Sequence, residues 1–441
     1  MTYTWMVSFN LGAYAAATAT QCVTPSGTAS NSEVVNCAVG ATVAVGSYTY
    51  EMQLKDSATT PVTTTSTASG IVTVNSPLVA GGVTPSGPTY DVSQAATLTS
   101  HPSLGTGSYT YQWYSSVSGT GACNAGTLIV SATSSSYSPS TASAGTTYYC
   151  YEVTDSATSP TSAGSAWDIV TVNTALATAS APTVSTALID QGQTPIAATD
   201  TLPATLGGSG TVTYTWMVSF NLGAYAAATA TQCVTPSGTA SNSEVVNCVV
   251  GATVAVGSYT YEMQLKDSAT TPVTTTSTAS GAVTVSTALA TASAPTVTTA
   301  LIDQGQTPTA ATDTLPATLG GSGTVTYTWM VSFNLGAYAA ATATQCVTPS
   351  GTASNSEVVN CVVGATVAVG SYTYEMQLKD SATTSVTTTS TASGAVTVST
   401  ALATASAPTV TTALIDRGQT PTAATDTLPA TLGGSGTVTY T

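Results

Sequence analysis

The eight residues TYTWMVSF occupy positions 213–220 and recur at 326–333, an interval of 113 residues. They also stand at 2–9, and the related TVTYT ends the chain at 437–441. A relative, SYTYQWY, spans 108–114. A chain made of such copies must fold as a series of alike units. An interval of this size exceeds the ~20–50 residues of a solenoid turn, so each copy can bury a core of its own. Side chains alternate across a strand. Tyr214, Trp216, Val218 and Phe220 therefore share one face, and Thr213, Thr215, Met217 and Ser219 the other. A second strand at 259–266 sets Tyr259, Tyr261, Met263 and Leu265 against Thr260, Glu262, Gln264 and Lys266. Two half-buried strands with aromatic inner faces are what a sandwich core needs.

Further short strands follow at roughly 8–12-residue spacing, parted by turns such as GGSG at 207–210. The fold class read from them is all-β: a tandem array of β-sandwich domains whose first and last units are incomplete. Residues 1–74 carry the C-terminal part of a repeat. Residues 75–173 form a divergent domain behind a Pro/Gly-rich lead. Residues 174–286 and 287–399 are full, nearly identical copies, and 400–441 is the N-terminal part of another. The run STALATASA at 286–294 has the composition of a linker. Trp5, Trp113, Trp216 and Trp329 are the expected core residues.

Met1 stands where Val212 stands in the full copy, and Thr441 matches Thr215. Two explanations fit. A longer reading frame has been cut at a GTG valine codon taken as a start. Alternatively, 400–441 of one chain completes 1–74 of the next by donor-strand complementation. The longer frame is favoured, because any cut in a periodic array leaves complementary ends.

Charged residues are only 5% of the 441, against a usual ~25%, and the net charge is −15. Lys55, Lys266, Lys379 and Arg417 are the only cations. Nucleic acid needs clustered Lys and Arg, so it is excluded as a partner. With so few titrating groups, little stability should be linked to protonation, which fits an acidic habitat. An apolar content of 42% excludes wholesale disorder. No run of 18 apolar residues spans a membrane, and no signal peptide precedes the first strand.

The eight cysteines fall two to a unit: Cys22 and Cys37, Cys123 and Cys150, Cys233 and Cys248, Cys346 and Cys361. None has CxxC spacing or a histidine nearby, which argues against zinc. One disulfide per unit is expected, and with it an extracellular or cell-surface location. The alternative is four pairs of reduced, buried thiols.

YTYQWYSS (109–116) followed by YYCYEVTDSA (148–157) resembles immunoglobulin-like domains, which set a Trp on one central strand and Tyr plus Cys on a facing strand. TYTWMVS and SYTYEMQLKDSA look like the same pair in the main repeat. The chain is most similar to tandem Ig-like repeats of archaeal and bacterial cell-surface proteins. That resemblance implies a stalk, adhesin or coat component. The main repeat departs from the pattern: it has no cysteine before the Trp strand, and Cys150 falls opposite Glu51. The inter-sheet disulfide of true immunoglobulins is therefore not carried over.

No residues combine into a catalytic set. His101, in HPSLGTG, is the only histidine and has no partner Cys or His. The main repeats contain no histidine, so a Ser-His-Asp set is excluded there. Asp190, Asp200, Asp303 and Asp313 suggest calcium, but they stand ten residues apart without further acids and read as solvated turn residues. No metal or cofactor is expected. Lys266 lies on the polar face, an ordinary surface lysine rather than half of an isopeptide bond. Tyrosines number 21 against three phenylalanines; aromatic platforms bind glycans, yet most of these tyrosines fall on inward positions. Trp167 alternates outward and is a candidate contact. The expected role is structural or adhesive, with partners among neighbouring repeats or other copies. The alternatives are a filament subunit and a module binding cell-surface glycans.

Overall fold

The computed structural model describes residues 1–441. They form β-strands and turns, with one 3-10 turn at Cys123–Ala125 and no α-helix. The chain divides into two compact units. One comprises Met1–Ala175, Gly207–Gly210 and Ser268–Pro272; the other comprises Leu176–Leu206, Thr211–Asp267 and Val273–Thr441.

In the second unit each full copy builds two facing sheets. The larger runs in the order Leu188–Asp190, Val283–Ser286, Gly257–Lys266, Thr213–Phe220, Ala226–Ala227, with Ser237–Thr239 and Thr274–Thr276 pairing at its sides. The smaller joins Thr183–Val184, Ile196–Thr201 and Val245–Val249. The first strand is thus split between the sheets. Thr183–Val184 pairs antiparallel with Ile196–Thr201, and Leu188–Asp190 then crosses to lie parallel to the last strand, Ile189 opposite Val285. Such sheet-switching strands close the corner of a sandwich.

The register shows why these sequences make a core. Trp216 lies opposite Met263, Val218 opposite Tyr261 and Tyr214 opposite Leu265, and all six are buried. Trp216 and Tyr261 meet edge to face at 6.1 Å. Ala197, Ala198, Val246 and Cys248 from the smaller sheet cover them, and copy 287–399 repeats the same cluster around Trp329 and Tyr374. Phe220, at the strand end, is 38% exposed and packs on Tyr259. The run 286–294 is no linker. Leu289 and Ala292 are buried in the core of the copy that follows, as are Leu176 and Ala179 in theirs. Its alanines and leucine give it apolar area to bury, which outweighs its loop-like composition.

In the first unit, 75–173 sets Thr127–Leu128, Thr110–Ser116, Gly145–Thr154, Asp168–Asn173 and Thr89–Asp91 in one sheet, facing Ser136–Tyr137, Leu98–Ser100 and Val83–Thr84. Trp113 fills its core with Leu98, Tyr151 and Val170, and its Nε1 donates to Ser134 O at 2.9 Å. Residues 1–74 form a single sheet around Thr2–Phe9 and Gly46–Lys55. No second sheet lies over it, so Trp5 is half-buried rather than a full core residue. Residues 400–441 contribute one short ladder, Thr409–Val410 with Ala424–Thr425.

Candidate functional site

The same set of contacts forms twice, once in each unit, where a crossing strand meets two turns of the copy that follows it. In the second unit the strand Leu188–Asp190 meets the turns at 320–323 and 380–384. Leu188 N donates to Thr383 Oγ1 at 3.3 Å and Thr383 N to Leu188 O at 3.2 Å. Gln193 Nε2 donates to Thr384 O at 2.9 Å, and the Ser322 hydroxyl to Ile189 O at 2.9 Å. In the first unit Thr89 N donates to Thr270 Oγ1 at 3.0 Å and Thr270 N to Thr89 O at 2.9 Å. Gln94 Nε2 donates to Thr271 O at 2.7 Å, and the Ser209 hydroxyl to Asp91 Oδ1 at 2.6 Å. Each threonine answers the strand's backbone in both directions, so the joint extends a ladder by one rung.

Glycine permits the close approach. A Cβ on Gly321, which sits at φ +73°, would lie 3.1 Å from the Cβ of Asp380. Ser322 is fully buried, Asp190 is 1% exposed and Asp380 4%. Burial raises the Asp190 carboxyl to about 6, against the lowering effect of the Ser322 hydroxyl. Burial also works to raise Asp380, but the N–H bonds it accepts from Val386, Ser322 and Ala382 help take it below the ordinary range. Asp155, the corresponding acid of 75–173, accepts Thr161 N at 2.9 Å and Thr106 N at 3.1 Å and is likewise lowered.

These acids correct the reading of solvated turn residues. Asp190, Asp200 and Asp313 are buried, and Asp303 is half-buried. Asp200 shares the inner side of its strand with Ala198 and accepts the Ser180 hydroxyl at 3.1 Å; Asp313 accepts that of Ser293 at 3.0 Å. Burial raises both. The hydroxyls come from the segments that open each copy, one of which, 286–294, has the composition of a linker. No three His, Cys, Asp or Glu side chains are placed to hold a metal ion.

Disulfides join Cys22–Cys37, Cys123–Cys150, Cys233–Cys248 and Cys346–Cys361. Cys150 points away from the core face of Tyr149 and Tyr151. Its bridge therefore lies on the outer face of the sheet, in a small cluster with Tyr114 and Trp167. Trp167 is not a free contact: half-buried on that cluster, it donates Nε1 to Gly121 O at 3.0 Å. His101 is exposed, its Nε2 2.6 Å from Thr84 Oγ1. Lys266 is exposed.

Sequence reasoning passed over Ser209, Ser322, Thr270, Thr383, Gln193 and Asp380. The available signal was the recurrence of LIDQGQ, GGSG and DSATT, with their polar residues, in every full copy.

No family model matches the chain, and no curated protein matches it. Solved structures do. The tetra-tandem repeat in the extending region of a large adhesion protein is 16% identical, covering 90% of this chain and 91% of that one, with a TM-score of 0.25. A 1.5-MDa bacterial ice-binding adhesin is 14% identical over 74% of this chain and 99% of that one, TM-score 0.28. Protocadherin gammaB7 EC3-6 is 12% identical over 90% and 91%, TM-score 0.23. The copies 75–173, 174–286 and 287–399 are all-β sandwiches in tandem. Each of these three has two facing sheets, and no helix of the chain is long and apolar enough to cross a membrane.

Proposed function

We propose that this Ig-like array is a structural segment of an extracellular adhesive or coat protein, a series of spacers that carries load between its ends. The supporting observation is the joint: the same threonine and glutamine bonds recur in both units. Repeats that join their neighbours by one recurring set of bonds suit a chain under tension. The folding units in this reading are 75–173, 174–286 and 287–399, with 1–74 and 400–441 parts of further ones. One disulfide in each fits an oxidising exterior. The role in this reading is non-catalytic, since the main repeats have no histidine for a Ser-His-Asp set.

Antibodies against 174–399 are expected to label intact, unpermeabilised cells. Stretching the non-reduced chain is expected to release repeats one at a time. The disulfide of a main repeat locks a 15-residue separation, so each main-repeat step should lengthen the chain by roughly 300–350 Å at ~3.4 Å per freed residue, and the step of 75–173, with its 27-residue bridge, by roughly 250 Å. Labelling only after permeabilisation, or extension without discrete steps, would overturn the reading.

A further inference from the structure

Domain 75–173 leaves unfilled an end of the sandwich that the main copies close. In 174–286 three side chains fill the space where the strand Gly257–Lys266 begins. Tyr259 is 1% exposed and donates its hydroxyl to Ala255 O at 2.7 Å. Val254, just before that strand, is equally buried. The Phe220 ring lies over Gly257, where an added Cβ would run into it. Domain 75–173 keeps the same frame. Gly145 opens its strand at φ +155°, as Gly257 does. Gly145 stands opposite Val172 and Thr147 opposite Val170, matching Gly257 opposite Val285 and Tyr259 opposite Val283. Ser93 N donates to Thr141 O as Gly192 N does to Ala252 O. All three fillers are missing from it. Thr147 stands in the register of Tyr259. Val117, four residues past Trp113 as Phe220 is past Trp216, is 93% exposed. A Cβ on Gly145 would meet nothing within 4 Å. Only Ala142, Ser143 and Ala144 stand between Thr141 and Gly145, and all are exposed, so none replaces Val254.

The space left is a cavity of about 320 Å³. Its floor is apolar, made by the buried Tyr149, Val170 and Val172. Ser140, Ser143 and Thr147 line it with hydroxyl-bearing side chains, and no charged residue lines it. We propose that this cavity binds a neutral sugar residue of a glycan. A pyranose ring has an apolar C–H face to lay on the tyrosine and valines, and hydroxyls at its edge for the serines and threonine. A phosphate, carboxylate or amine would leave water with no counter-charge to meet it. The volume is at the lower end of small-molecule sites, ~300–1,000 Å³, which suits one ring. The rest of the glycan has a way out past the exposed Ser143 and Gly145. The assignment rests on this cavity alone and stands whether or not the array carries load.

The test uses the full chain with its disulfides intact and its valine methyls labelled with 13C. It is titrated with the methyl glycosides of glucose, galactose, mannose, xylose and N-acetylglucosamine. At least one is expected to shift the methyls of Val170 and Val172 saturably, while those of Val283 and Val285, at the matching positions of a filled copy, stay in place. Thr147→Tyr installs the side chain that fills the main copies. It should weaken binding at least tenfold and keep or raise the melting temperature. Binding retained in Thr147→Tyr would overturn the proposal. So would a series in which no glycoside moves Val170 or Val172, a reading that needs only the wild-type chain should the variant fail to fold. Equal shifts from toluene, which has no hydroxyl, would make the cavity an unselective apolar one, and tighter binding of glucose 6-phosphate than of methyl glucoside would overturn the neutral class.

Discussion

At the scale of single residues, the aromatic pairs dominate. Trp216 and Trp329 are fully buried, and truncating a core Trp costs ~3–5 kcal/mol. Trp216→Ala is expected to lower the denaturant midpoint of one repeat by that amount while the transition of 287–399 stays in place. Trp113 differs, because its indole donates to Ser134 O and the indole N–H of Trp216 has no acceptor. Trp113→Phe should therefore cost about 1 kcal/mol more than Trp216→Phe in the same urea titration. Burial raises the phenols of Tyr259, Tyr261, Tyr372 and Tyr374. A group raised in the folded state stabilises below its unfolded value and loses that contribution above it. Stability should accordingly fall above about pH 10, where unfolded tyrosines ionise and buried ones do not. Absorbance at 295 nm during an alkaline titration would show these tyrosines ionising only on unfolding.

Among the elements, the hairpin tips and the disulfides are open to test. Asn221 and Leu222 sit at φ +49° and +62°, and Leu222 is 92% exposed. Asn221 is held there by accepting Ser258 N at 2.8 Å; Leu222 has no such compensation. A left-handed L-residue costs ~1–2 kcal/mol, of which glycine's extra chain entropy takes back part. Leu222→Gly is expected to raise stability by ~0.5–1 kcal/mol, read from the urea midpoint. The bridge Cys233–Cys248 ties the connection after the Trp strand to Val245–Val249. Closing a loop of that length contributes ~3 kcal/mol in the chain-entropy model. Reduction should lower the midpoint of each main repeat accordingly, and an unchanged midpoint with thiols shown free would refute the estimate.

For the whole molecule, the near-identity of 174–286 and 287–399 is the hazard. Either copy's Trp strand satisfies the other's Tyr strand, since both pairs run in the same register. Refolding 174–399 is therefore expected to yield more exchanged product than refolding 75–286, whose two repeats differ. Equal yields would count against it. At this scale the expectation of little pH-linked stability also changes. Few groups titrate, yet the folded repeats bury Asp190, Asp200 and Asp313 and burial raises their carboxyls.

What the amino-acid sequence determined alone was everything local and periodic. Period-two alternation placed Trp216, Tyr261 and Leu265 inward, because side-chain direction in a strand depends only on position. The interval between copies set their number, and the cysteine spacing suggested pairing within each copy. What only the tertiary structure decided was whatever needs a partner distant in the chain. Residues 34–37 read VVNC, as do 245–248, yet only the latter lie in a strand. Val245–Val249 has Ile196–Thr201 to bond with, and no such neighbour lies beside 34–37. Asp190 likewise reads as a turn acid until the turn of the next copy covers it. A strand is stable only once its N–H and C=O groups find a second strand, and a carboxyl changes its proton affinity only once water is excluded from it.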